Sequence, residues 1–184
     1  MKQTDFSKFD NSWYNPGGSA IKRITWYYIN LLFFKSRLFV PIGPKKCFLN
    51  IYGAKMGGAF YIKPGVNIKY PWRLKCGDHV SIGEDVWIDN LANVTIGNNV
   101  CISQGAMLLC GNHNYLKSSF DLMIGDITIE DGAWVGAKTV VCPGVTMKSH
   151  SVLTVGSILS SDTEEYSIYR GNPAIKIKER VISE

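Results

Sequence analysis

Histidine is scarce in this 184-residue chain, with three copies, and the five cysteines include no Cys-x-x-Cys pair. An odd set of isolated thiols (Cys47, Cys76, Cys101, Cys110, Cys142) argues against a disulfide framework and a structural zinc knuckle. His79, His113 and His150 show no metal-ligand spacing, so no metal is expected. Long apolar runs are missing too. The most apolar stretch, Ile24–Phe34, stops at Lys35 and Arg37, too short to span a bilayer. Met1–Asn11 is polar and carries Asp5 and Asp10 where the core of a signal peptide would begin, so a reduced, cytoplasmic setting is expected. The basic residues come with no nucleic-acid reading motif, and nucleic acid is not an expected partner.

What the chain has in quantity is turn-forming residues and a packable core. Glycine stands at 18 and proline at 7, with 46% apolar and 19% charged residues, which excludes global disorder. The formal charge of +5 is unevenly spread. Residues 1–63 hold ten Lys/Arg against Asp5 and Asp10, a net of +8, and residues 64–184 hold ten against thirteen acids, a net of −3. A basic segment of this kind meets phosphate, nucleic acid or an anionic lipid surface.

A six-residue beat organises the rest. From Pro64 the units run Pro-Gly-Val-Asn-Ile-Lys, Tyr-Pro-Trp-Arg-Leu-Lys, Cys-Gly-Asp-His-Val-Ser and Ile-Gly-Glu-Asp-Val-Trp, with Ile68, Leu74, Val80 and Val86 recurring in fifth place. Ile88–Thr95 is an eight-residue variant. The beat resumes at Ile96, stops at Gly111 and returns from Ile129 to Ile158. Period six fits neither a helix nor a long alternating strand; it fits a short strand and a tight turn, repeated. Three units close a triangular coil, with the first residue of each pointing inward, and stacked coils bury an aliphatic column. The expected class is all-β, a parallel β-helix over 63–184. An aromatic, basic extension over 1–62 precedes it, with an amphipathic helix in 20–40 that either caps the first coil or touches a membrane surface. A protruding loop is expected near 112–126, and a turn into a short C-terminal helix over Tyr169–Arg180.

The interrupting loop holds the residue best suited to base chemistry. His113 lies in Gly111-Asn-His-Asn-Tyr, where the repeat breaks, whereas His79 and His150 fall in regular turns and read as structural. Asn112, Asn114 and Tyr115 either orient the ring and contact a substrate or close the turn. Gly136-Ala137 is the candidate source of a backbone N–H for an oxyanion, and Asp89 and Asn90 stand on the eight-residue bulge.

Asn11-Ser-Trp-Tyr-Asn-Pro-Gly, Lys63-Pro-Gly-Val-Asn-Ile-Lys-Tyr-Pro-Trp-Arg-Leu, Glu84-Asp-Val-Trp-Ile-Asp-Asn-Leu, Gly-Ala-Trp-Val-Gly and the terminal Gly-Asn-Pro-Ala together resemble the hexapeptide-repeat acyltransferases, closest to the colanic-acid-type polysaccharide acetyltransferases. The resemblance implies a left-handed helix, a homotrimer with active sites between subunits, and acetyl transfer from acetyl-CoA to a sugar hydroxyl with His113 as general base. It places the acceptor at Asp89 and Asn90. The coenzyme arm falls along Trp134, Gly136, Ala137, Val155, Gly156 and Ser157, and its phosphates near Lys176, Lys178 and Arg180. Trp134 as a coil-edge aromatic and the terminal bases as a solvated face are the plain alternatives. Ser160-Ser161-Asp162 stands where many relatives carry Thr-Lys-Asp, so one phosphate-binding lysine is missing. An N-acetyltransferase acting on an amino-sugar nucleotide and a non-catalytic scaffold are the competing functions.

Overall fold

The computed structural model describes residues 3–183. Short parallel strands stack in three sheets, one per face of a solenoid. The first face holds Lys55–Met56, Leu74–Cys76, Val94–Ile96, Ile127–Ile129 and Thr146–Met147; the second runs from Phe60–Ile62 through Val80–Ile82, Cys101–Ile102, Trp134–Val135 and Val152–Leu153 to Ser167–Gly171; the third holds Asn67–Ile68, Trp87–Asp89, Met107–Leu109, Val140–Val141 and Ile158–Leu159. The first coil therefore begins at Lys55, inside the segment expected to be an extension.

Each six-residue unit sends two side chains inward, not one. Ile82 and Val86, Ile96 and Val100, and Ile102 and Ala106 are all buried. Each such aliphatic contributes about 1.5–3 kcal/mol on burial. Coil length follows from the register. Leu74 pairs with Val94 and Val94 with Ile127, whereas Thr128 pairs with Thr146, so the stack runs in longer coils, absorbs an insertion and then continues in shorter coils without losing alignment. The Ile68–Lys75 segment is also a long unit, because a 3₁₀ turn at Pro71–Arg73 fills its corner.

Corner positions repeat as faithfully as strands. Gly65, Asp85, Gly105, Lys138 and Gly156 occupy one corner with positive φ, and His79, Asn99, Gly132 and His150 another. His79 and His150 are thus backbone corner residues in the left-handed region. Beside them Asp78 accepts from the Ala59 N–H, Asn98 from the Asp78 N–H and Asp131 from the Asn98 N–H, a ladder of side chains capping turn amides. Those donors hold the Asp78 and Asp131 carboxyls below the ordinary carboxylate range.

The N-terminal segment closes the open end of the solenoid. Helix α1 (Ala20–Ile29) starts at Ser19, whose side chain accepts from the Lys22 N–H, and runs into a π-helical stretch over Asn30–Lys35. Trp26 donates its indole N–H to the Ile68 carbonyl at 2.8 Å, and the Asn30 amide bridges Asn67 and the Ile68 N–H. Helix α2 (Ile42–Ile51) buries Leu49 and Lys45, and the Lys45 ammonium bonds the Ile62 carbonyl at 3.0 Å.

The other end departs from expectation. The short C-terminal helix is absent: Ser167–Gly171 and Ala174–Glu179 form an antiparallel hairpin on the last coil. Its second strand alternates Ile175-Lys176-Ile177-Lys178, a period-two pattern that suits a strand with one solvated face.

Candidate active site

The insertion between the 20-residue and 18-residue coils is itself ordered. Gly111–His113 and Leu122–Ile124 pair as an antiparallel hairpin. Its base is tied by the Gly125 N–H to the Cys110 carbonyl and by Asp126 to Asn93. His113 therefore sits on a strand of a braced hairpin. Its Nδ1 lies 2.9 Å from the Phe120 carbonyl oxygen, and its ring stacks on the Phe120 ring at 4.6 Å and 12°. Phe9 packs against the imidazole at 5.7 Å, Phe6 against Phe120 at 5.2 Å, and the Asp5 N–H bonds the Ser118 carbonyl. A carbonyl oxygen only accepts, so Nδ1 carries the proton and the neutral ring has its lone pair on Nε2.

The loop polar residues serve the turn. Asn112 accepts from the His113 N–H at 2.8 Å and Asn114 from the Leu116 N–H at 3.1 Å. Tyr115 is exposed.

Asp89 ends a third-face strand in register with Leu109, four residues before His113. Four extended residues reach at most about 14 Å, which bounds the backbone separation between His113 and the strand beside Asp89. The Asp89 carboxylate is mostly buried, with Oδ1 2.9 Å from the Lys69 ammonium. It lines a cavity of about 560 Å³ between the third face and α1, whose walls include Trp87, Tyr70, Tyr27, Tyr28 and Arg23. Asn90 is fully buried, and its amide is spent on the Tyr70 backbone, accepting at 2.8 Å and donating at 2.6 Å. That pair pins one long corner to the next, and Asn90 does not face the cavity.

The expected coenzyme residues divide in the same way. Trp134 stands exposed on the second face, its indole N–H donated to the Ser103 hydroxyl at 2.9 Å. Ala137, Val155 and Gly156 come together on stacked turns, with the Gly156 N–H bonded to the Ala137 carbonyl. The Gly136 N–H is already donated to the Leu153 carbonyl at 2.8 Å, and a Cβ there would clash with that oxygen. Gly136 is a packing glycine, and of the pair expected to serve an oxyanion only the Ala137 N–H has no partner among the described residues. Ser157 is buried and accepts from the Gly171 N–H. On the terminal hairpin Lys176 is held between Glu164 and Glu179, each 2.6 Å away, which raises its pKa. Arg180 donates to the Gly132 and His150 carbonyls, and Lys178 is exposed.

Two contributors escaped the sequence. Lys69, the partner of Asp89, carried no signal beyond its place in a long corner. The Phe6–Phe9 segment and Phe120 are too far apart in the chain for any local pattern to join them.

No protein-family model matches the chain. The chain is 34% identical over 168 residues to Escherichia coli (strain K12) WcaF, which carries the name of a colanic acid biosynthesis acetyltransferase; 91% of this chain and 92% of that protein are covered. It is 30% identical over 129 residues to the galactoside O-acetyltransferase of the same organism, covering 68% of this chain and 64% of the other. Among solved structures, a hexapeptide-repeat acetyltransferase of Vibrio cholerae O1 biovar eltor complexed with acetyl coenzyme A superposes with a TM-score of 0.80 at 22% identity, covering 90% of this chain and 92% of that one.

Proposed function

The chain belongs to the hexapeptide-repeat acetyltransferases of the colanic acid biosynthesis type, and from that premise we propose that it moves the acetyl group of acetyl-CoA onto a saccharide hydroxyl in exopolysaccharide or capsule assembly, working as a homotrimer with its sites between subunits. The observation that carries the chemistry is the orientation of His113. The Phe120 carbonyl holds the proton on Nδ1, so Nε2 is the free base.

The steps balance without an acyl-enzyme. The sugar oxygen attacks the thioester carbonyl carbon while Nε2 takes the hydroxyl proton. The tetrahedral oxyanion accepts a hydrogen bond from the Ala137 N–H. Collapse breaks the carbon–sulfur bond, and the thiolate leaves with the proton returned from Nε2. Asp89 accepts from an acceptor hydroxyl, Trp134, Val155 and Gly156 flank the coenzyme arm, and Lys178 is the terminal base free to meet its phosphates. Oxygen as the acceptor atom is favoured by the name of the galactoside O-acetyltransferase relative.

A panel of free, nucleotide-linked and lipid-linked saccharides, scored by release of the coenzyme thiol, tests this reading. The expected product is an ester cleaved by hydroxylamine, formed by the native protein and not by His113→Ala. An amide product, or undiminished turnover by His113→Ala, overturns it.

A further inference from the structure

The N-terminal end of the molecule carries charge of one sign. Residues 11–77 contain eleven Lys/Arg and no Asp or Glu, whereas residues 78–184 contain seven Lys/Arg and thirteen acids. Apolar side chains crowd the same end. Ile21, Ile24, Tyr28 and Leu32 succeed one another along α1 and its π-helical extension at helical spacing, all exposed, and Leu38 and Phe39 follow at 68% and 81% exposure. The helix cannot turn this side inward, because its opposite face is fixed to the first coil through Trp26, Asn30 and Phe34. Lys35 and Arg37 follow the stripe, Arg37 paired with Asp85 at 2.9 Å, whereas Lys22 and Arg23 lie toward the protein, Lys22 over the Trp72 ring and Arg23 donating to the Gly18 carbonyl.

An exposed apolar stripe at the end of the molecule that carries the basic excess suits one kind of surface. A bilayer takes the aliphatic groups below its headgroups, the tyrosines at their level, and the cations against anionic lipid. A second α1 face would set cation against cation. We propose that the face from Ile21 to Phe39 docks on an anionic lipid bilayer. The cavity holding Asp89 runs along the flank of the same helix, with Ile24, Tyr27 and Leu31 in its wall, so docking brings that cavity to the lipid surface.

Sedimentation of the full chain with vesicles tests this. The protein pellets with phosphatidylcholine vesicles containing phosphatidylglycerol, is not pelleted by phosphatidylcholine alone, and is released as salt is raised. The paired changes Leu38→Asp/Phe39→Asp, and separately Ile21→Asp/Leu32→Asp, weaken pelleting on the order of tenfold or more, since they add repelling charge to an apolar contact. Both pairs lie outside the cavity and leave transfer to a soluble sugar and the oligomeric mass unchanged. Three results overturn the proposal: no pelleting dependent on the anionic lipid, variants that pellet as well as the native chain, or a changed oligomeric mass, which makes the face a subunit contact.

Discussion

At the scale of single residues, the imidazole of His113 is held by one hydrogen bond and two aromatic rings. Removing the ring in His113→Ala lowers kcat/KM by about 10²–10⁴-fold, measured as thiol release under limiting acceptor. Phe9→Ala keeps the base but frees its orientation, so kcat falls while KM for acetyl-CoA stays constant. Two of the buried thiols are poor nucleophiles. Burial pushes Cys76 up to about 12 and Cys110 up to about 11, so both stay protonated at neutral pH. Iodoacetamide in native buffer therefore labels the exposed Cys47 and Cys101 first, by peptide mass mapping, and Cys110→Ser turns over normally. The hairpin that carries His113 is legible in the sequence as a protruding loop, because the repeat breaks there. Asn90 and Gly136 were misjudged because hydrogen-bond ownership between coils leaves no trace in spacing: both looked available, and both are spent on the neighbouring coil.

At the scale of elements, the turns set the tolerances. Gly136→Ala drives a methyl onto the Leu153 carbonyl and costs about 1–3 kcal/mol, read as a drop in thermal midpoint. The acidic side-chain ladder imposes a pH dependence. The Asp131 carboxyl is held below its unfolded value, so its contribution is present above about pH 3.9 and is lost as pH falls through the lower folded value. The thermal midpoint thus declines between pH 5 and pH 3, and Asp131→Asn shows a shallower decline. The beat of six foretold strands and corners because each inward aliphatic must land on the column. It misread Ile68–Lys75, where a 3₁₀ turn preserves stacking while adding two residues. The terminal segment was misread because Gly-Asn-Pro-Ala signals only a turn, and the alternation of isoleucine and lysine after it decides for a strand.

For the whole molecule, caps and charge follow the solenoid axis. Helix α2 packs on the opening strands of the first two faces, and at the other end the terminal hairpin extends the second-face ladder beyond the last coil. The N-terminal charge excess was legible from composition. That it shares a surface with a stripe of aliphatic side chains was not, because helical phase alone does not say which face the first coil claims.

The hairpin that carries His113 stands on closed footings. Val94 and Ile127 remain in register across it, and Asn93 with Asp126, and Cys110 with Gly125, join its two roots. Length inserted or removed beyond those roots strains no ladder, so the tip of this segment can change while the stack keeps its register. The tip can be recut on old masonry while the coil that carries Asp89 keeps its place.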